Sequence, residues 1–210
     1  MLTVLATAAR TIPKRYISLS TQRLPTLNMS TISAVITHDH REIEDYYKQI
    51  LTAEDEDAKT RYQNQFTWEL ARHSLGEELV IYPLMEKVVP GGQAMAQKDR
   101  AEHQKVKEQL NLFQGMKASN PEFEPTLRAL MSNLSEHIKE EEHDDLPKLE
   151  EHISREDSAS VAKEFQRTKK FVPTRSHPSA PDKPPFETVV GLMTAPMDKL
   201  QDMFRKFPKD

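Results

Sequence analysis

Cysteine is absent from this chain, which excludes disulfides, zinc–thiolate sites and cysteine nucleophiles. Imidazole and carboxylate are left as the strong metal ligands. Glycine is scarce, at five in 210 residues. That speaks against a sheet built on many tight turns and against glycine-rich loops that cradle phosphate. No apolar run approaches the roughly 20 residues that a membrane span needs, so no transmembrane segment is expected. Acidic residues are missing from residues 1–30, where Arg10, Lys14, Arg15 and Arg23 stand uncompensated. That segment carries +4, so the rest is at −8 within an overall charge of −4. An acidic body disfavours nucleic acid as a partner.

The acid-free residues 1–28, with their Arg, Ser and Thr, read as a leader of the kind that targets mitochondria. The alternative is a working start at Met29 and a cytoplasmic protein. The domain reading is a basic leader over 1–28, a helical bundle over 29–154 and a C-terminal extension over 155–210.

What the chain does contain is an internal repeat. His40 is followed by Ile43, Tyr47 and Ile50, and His103 by Val106, Leu110 and Phe113, at the same three offsets. Steps of three and four return to one helix face. His73, Glu77, Pro83 and Glu86 are matched in the same way by His137, Glu141, Pro147 and Glu150. The pattern is a duplicated αα-hairpin. Breakers place its helices near 31–52, 56–89, 93–118 and 122–152, the last bent at Pro147. Short connections make neighbours antiparallel. The fold class is therefore all-α, an up-down-up-down four-helix bundle. Beyond it the pattern predicts a short helix through about Lys170, a Pro-rich linker over 172–186 and a C-terminal amphipathic helix. In that last helix Met193, Met197, Leu200, Phe204 and Phe207 form a stripe expected to pack on the bundle, with a protein partner or membrane surface as alternatives.

His73 and Glu77 fall on the apolar stripe of Phe66, Leu70, Leu84 and Val88. His137 and Glu141 continue the stripe of Leu127, Leu130 and Leu134. An ionised carboxylate buried without a partner would protonate, so two Glu and several His in a core call for a shared positive charge. Counted at ~1.5 Å per residue from the turns, His40 meets His73 in one layer, and His103 meets His137. The candidate metal ligands are His40, His73, Glu77, His103, His137 and Glu141. Nitrogen and oxygen donors suit iron, with zinc or manganese as alternatives. His38 lies about 200° around its helix from His40, His143 is off the stripe, and His152 is about 22 Å along the helix from His137. Glu140, Glu142, Asp144 and Asp145 read as a solvated face.

Asp39-His40-Arg41-Glu42-Ile43, His73-x-x-x-Glu77, Glu102-His103 and His137-x-x-x-Glu141-Glu142 make residues 31–152 resemble the hemerythrin-like, or HHE cation-binding, domain. The resemblance implies two non-haem irons, with Glu77 and Glu141 as bridges. His40 and His73 would bind one iron, His103 and His137 the other. Oxygen carriers of that family have a further histidine four residues before the position of His103. Here that position is Asp99, either an extra carboxylate ligand or a surface acid. Reversible oxygen carriage is thereby disfavoured. Binding or sensing of oxygen, nitric oxide or iron is expected. A di-iron oxidase or peroxide-detoxifying enzyme, and an interaction module with a structural metal, are the alternatives. Phe171 to Pro178 resembles the extension of fungal and plant members, and His177 within it is read either as a cap on the site or as structural.

Overall fold

The structure is a computed structural model, and it describes residues 31–180 and 186–209. The leader therefore lies outside the described residues. Helix α1 spans Ile32–Thr52, α2 Glu56–Gly76, α3 Tyr82–Val88, α4 Gly92–Phe113, α5 Phe123–Glu140, α6 Leu146–Glu151, α7 Arg155–Thr168 and α8 Phe186–Asp202. No strand occurs among the described residues. Helix starts carry side-chain caps where the sequence supplies them: Thr31 accepts from the Ala34 N–H, Asp55 from Ala58 and Ser154 from Asp157. Gly91, at φ +79°, makes the left-handed turn that ends one rod and opens α4.

Helices α2 and α3 form one rod, as do α5 and α6, each interrupted by a π-helical turn: Glu77–Ile81 and Glu141–Asp145. The expected bend at Pro147 is thus a π turn, and Pro83 produces its twin. Each proline lacks an N–H and its ring would crowd the carbonyl four residues earlier. The preceding residue instead bonds five back, Tyr82 N–H to the Glu77 carbonyl and Leu146 N–H to that of Glu141.

The rods pack as the duplication requires. α1 lies on α2, α3 on α4 and α4 on α5, while α5 and α6 close the ring on α1. Helix α4 ends at Phe113 rather than near 118 because other side chains take its free carbonyls. The Gln63 amide donates to Phe113 and Met116 at 2.8 and 3.0 Å, and Arg175 donates to Gln114 at 2.8 Å.

Two apolar plugs fill the interior. One is built on Ile43, Ile50, Phe66, Leu70, Val106 and Phe113, the other on Ile32, Ile36, Ile81, Tyr82, Leu146 and Phe165. The histidine and glutamate layer lies between them. α7 packs on α1, α2 and the first π turn as a fifth helix.

The C-terminal stripe departs from expectation. Met193, Met197, Leu200 and Phe204 are 57–83% exposed. α8 turns its other side inward, because Asp198 accepts from the Thr174 and Arg175 N–H groups and Asp202 from the Thr174 hydroxyl. Backbone N–H groups that need an acceptor decide which face docks. Among the described residues, no helix is long and apolar enough to cross a membrane.

Candidate metal centre

α1 brings His40, α2 brings His73 with Glu77 at its π junction, α4 brings His103, and α5 brings His137 with Glu141. All six are at most 3% exposed. His40, His73, Glu77 and Glu141 each place a ligand atom within 4.8 Å of the others, and so do Glu77, His103 and His137. Glu77 is common to both groups. The imidazoles pair alike in the two halves: ring centroids are 4.8 Å apart for His40–His73 and 4.7 Å for His103–His137, both edge-on.

Each imidazole Nδ1–H donates to a carboxylate outside the centre. His40 donates to Glu142 at 2.8 Å, His73 to Asp39 at 3.3 Å, His103 to Glu78 at 3.1 Å and His137 to Glu102 at 3.0 Å. With a carboxylate on each Nδ1, every Nε2 faces inward, the nitrogen that would take a metal once it carries no proton. The acceptors run in a closed ring. The acid before His40 serves His73, the acid after Glu77 serves His103, the acid before His103 serves His137, and the acid after Glu141 serves His40. Arg41 pairs with Glu142, Lys98 with Glu102, Lys107 with Glu78 and Lys169 with Asp39.

The interior itself is under-compensated. All four carboxylate oxygens of Glu77 and Glu141 are buried without a well-aligned hydrogen bond, as is His40 Nε2. Their nearest neighbours are imidazole nitrogens, His40 Nε2 3.2 Å from Glu141 and His73 and His103 Nε2 3.2 and 3.4 Å from Glu77. Native interiors leave few such atoms, and a cluster of them signals a group that belongs there. His103 Nε2 and His137 Nε2 are 3.0 Å apart. Two lone pairs at that separation need a proton or a metal between them. Burial and the neighbouring Glu141 push Glu77 well above the usual carboxylate range. Glu141 is buried too, yet contact with His40 holds it low. Burial opposes charge on His40, but Glu141 and Glu142 raise it to about 9. Burial takes His73 down to about 4.

Several outer residues differ from the sequence reading. Asp99 is no surface acid: it is 2% exposed, its Oδ2 has no partner, and it groups with Glu102 and His137. Burial, then Asp145, raises it to about 7. Nor are Glu142 and Asp145 a solvated face. Glu142 holds His40, and Asp145 is 4% exposed. The π turn adds an extra residue and rotates the next side chains inward, which a fixed helical period does not foresee. His38 lies 38% exposed, 3.6 Å from Glu42, and His143 and His152 donate to carbonyls on the surface. His177 stays out of the layer, bonded to Asp198 at 2.9 Å. Tyr82 is a residue that sequence reasoning misses: fully buried, its O–H donates to His103 Nε2 at 2.9 Å. It directly follows the π turn and precedes Pro83, and nothing else in the sequence sets it apart from a core aromatic.

Comparison with known proteins agrees with this geometry. The family model for the hemerythrin HHE cation binding domain matches residues 31–149. An uncharacterized hemerythrin-like protein of Schizosaccharomyces pombe is 57% identical over 187 residues, 89% of this chain and 92% of that protein. A DNA nickase of a Nostoc species is 25% identical over 144 residues, which span 69% of this chain and 40% of the nickase. The crystal structure of a hemerythrin HHE cation binding domain-containing protein from Mycobacterium kansasii superposes with a TM-score of 0.59. It is 20% identical, covers 67% of this chain and 85% of its own, and bears on the fold alone.

Proposed function

Because this chain belongs to the hemerythrin HHE cation-binding family, whose domain its own His and Glu clusters equip for metal, we propose that it holds two irons bridged by carboxylates. The observation that carries the reading is the pair of buried donor groups sharing Glu77, with four carboxylate oxygens that lack a well-aligned hydrogen bond. His40 and His73 would hold one metal and His103 and His137 the other, with Glu77 common to both donor groups and Glu141, grouped with His40 and His73, as the second bridging candidate. Two cations supply what the layer lacks, since they neutralise two buried carboxylates and separate the facing imidazoles. Zinc or manganese would satisfy the same donors less selectively. When bound, a di-iron centre supplies reversible electron transfer to, or binding of, a small oxidant.

The residues around the centre favour a small ligand. With all six donors at most 3% exposed, only a species of diatomic size, or peroxide, reaches the layer without opening the bundle. Tyr82 O–H donates to the nitrogen that would hold a metal, so metal uptake frees the phenol to donate to a ligand beside it. Asp99 adds an unpaired carboxylate next to His137, where it can serve as a further ligand. A carboxylate there adds negative charge to that metal and favours its oxidised form. This supports binding or sensing of oxygen, nitric oxide or iron over oxygen carriage. The working compartment on this reading is the mitochondrion, with residues 1–28 as the address.

The test exposes reduced, iron-loaded protein to dioxygen, nitric oxide and peroxide while following the visible spectrum. A stoichiometric spectral change without sustained consumption is expected. Continuous turnover of peroxide or dioxygen replaces this reading with the enzymatic one. A protein that binds metal but responds to none of the three is left with a structural metal.

A further inference from the structure

Three of the four outer carboxylates obtain their cation from the bundle itself, and one does not. Glu142 pairs with Arg41 and Glu78 with Lys107, both next to or one turn from a histidine of the layer. Glu102 pairs with Lys98, four residues earlier on the same helix. The equivalent of Lys98 in the first hairpin, four residues before Asp39, is Val35, which is buried in the apolar plug. Asp39 is itself 7% exposed, and among the described residues no Lys or Arg of the repeat forms an ion pair with it. Its cation is Lys169, 130 residues away, just past the end of α7.

Lys169 is held on several sides. Its ammonium is also 3.6 Å from Glu69, and its carbonyl accepts from Arg72 at 3.4 Å. One turn earlier, Phe165 is fully buried and meets the His73 ring edge-on at 6.0 Å. Gly76 permits this approach, since a Cβ there would sit 2.7 Å from the Phe165 ring. α7 thus presses an aromatic ring and an ammonium against the same histidine and its acceptor.

We propose that the C-terminal extension completes the metal centre, with Lys169 as the positioning residue for His73. The inference rests on the two-metal reading. Lys169 fixes the Asp39 carboxylate, and Asp39 fixes the His73 ring with Nε2 toward Glu77, 3.2 Å away. The outer ring inherited from the duplication is complete only with this residue from outside the repeat.

The test uses the full chain, loaded with zinc(II) for NMR and with iron(II) for chelator competition. In Lys169→Met, the first of two metal equivalents should be lost to chelator at an affinity ~10–100-fold weaker than in the wild type, the usual effect of removing an outer partner. The His73 Nδ1–H resonance should lose protection while that of His137 keeps it. Lys169→Arg should restore both. Lys98→Met should reverse the pattern, exposing His137 and sparing His73. Lys169→Met leaves Asp39 buried and uncompensated, so Asp39→Asn with Lys169→Met serves as the folding control. That pair should regain the melting temperature of the metal-free wild type yet keep the weakened site. Wild-type affinity for both equivalents in Lys169→Met, or recovery of affinity in the double variant, overturns the proposal. Wild-type protein that takes up no metal at all overturns this inference together with the two-metal reading.

Discussion

His40 and His137 are both raised above the ordinary imidazole value, because carboxylate contacts outweigh their burial. His73 and His103 are both lowered, chiefly by burial. Each hairpin thus pairs one histidine whose proton carboxylates hold more tightly with one whose proton burial loosens. Metal uptake must displace those protons. For His40, at about 9, the metal-competent neutral form is the minor one below that pH. Apparent affinity should therefore rise by about tenfold per pH unit from 6 to 8 for this proton alone, with His137 acting in the same direction. Calorimetric titration of zinc(II) in buffers of different ionisation enthalpy measures the protons released, and a pH-independent affinity would remove the imidazoles from the centre. Glu142→Gln replaces the acceptor that aligns His40 with a weaker one. Metal affinity should fall ~10–100-fold with the fold intact, as chelator competition and circular dichroism would show. The six inner residues are legible in the sequence because charge on an apolar stripe is conspicuous and here occurs twice in register. Their acceptors are not, since Asp39, Glu78, Glu102 and Glu142 sit beside ligands, where acids on a helix ordinarily meet solvent. The signal is nonetheless present, as an acid before each of His40 and His103 and after each of Glu77 and Glu141.

Helices α1 to α6 are legible as four rods because turn residues and apolar period agree along them. The two π turns are not, although Pro83 and Pro147 recur at one offset from Glu77 and Glu141. A proline in a helical run is read as a bend, whereas here the rod absorbs it by one wider turn. The same turns explain why Asp145 comes inside. The sequence marks α7 only as a short helix without a role, because its packing depends on a glycine 89 residues upstream rather than on its own residues. Gly76→Ala puts a methyl 2.7 Å from the Phe165 ring and 3.1 Å from a second ring atom. Overpacking of this kind costs ~1–3 kcal/mol. Urea unfolding should register it, with the largest loss of amide protection in α7. Stability equal to the wild type would mean that α7 is not seated on α2. For α8, apolar period alone suggests the buried side. The polar residues Asp198 and Asp202 instead dock it on the Thr174–Arg175 backbone, and the methionines stay outside.

The whole molecule is a duplicated hairpin closed around a polar layer, with two apolar plugs above and below it and an added helix against one side. The plugs hold the rods together, while the layer works against them until its charge is balanced. Metal should therefore stabilise the native chain by mass action. At free metal 100-fold above the dissociation constant the gain is ~2.7 kcal/mol, or ~5–10 °C for a chain of this size. Differential scanning calorimetry of stripped and reloaded protein checks this, and coincident melting would place any metal outside the core.

The central claim is that two metals share this layer. Crystals of iron-loaded protein, measured on both sides of the iron absorption edge, test it directly. Two anomalous peaks ~3.5–4 Å apart are predicted, one against His40 and His73, the other against His103 and His137, with Glu77 and Glu141 touching both. A single peak, or iron bound away from these imidazoles, would contradict the account.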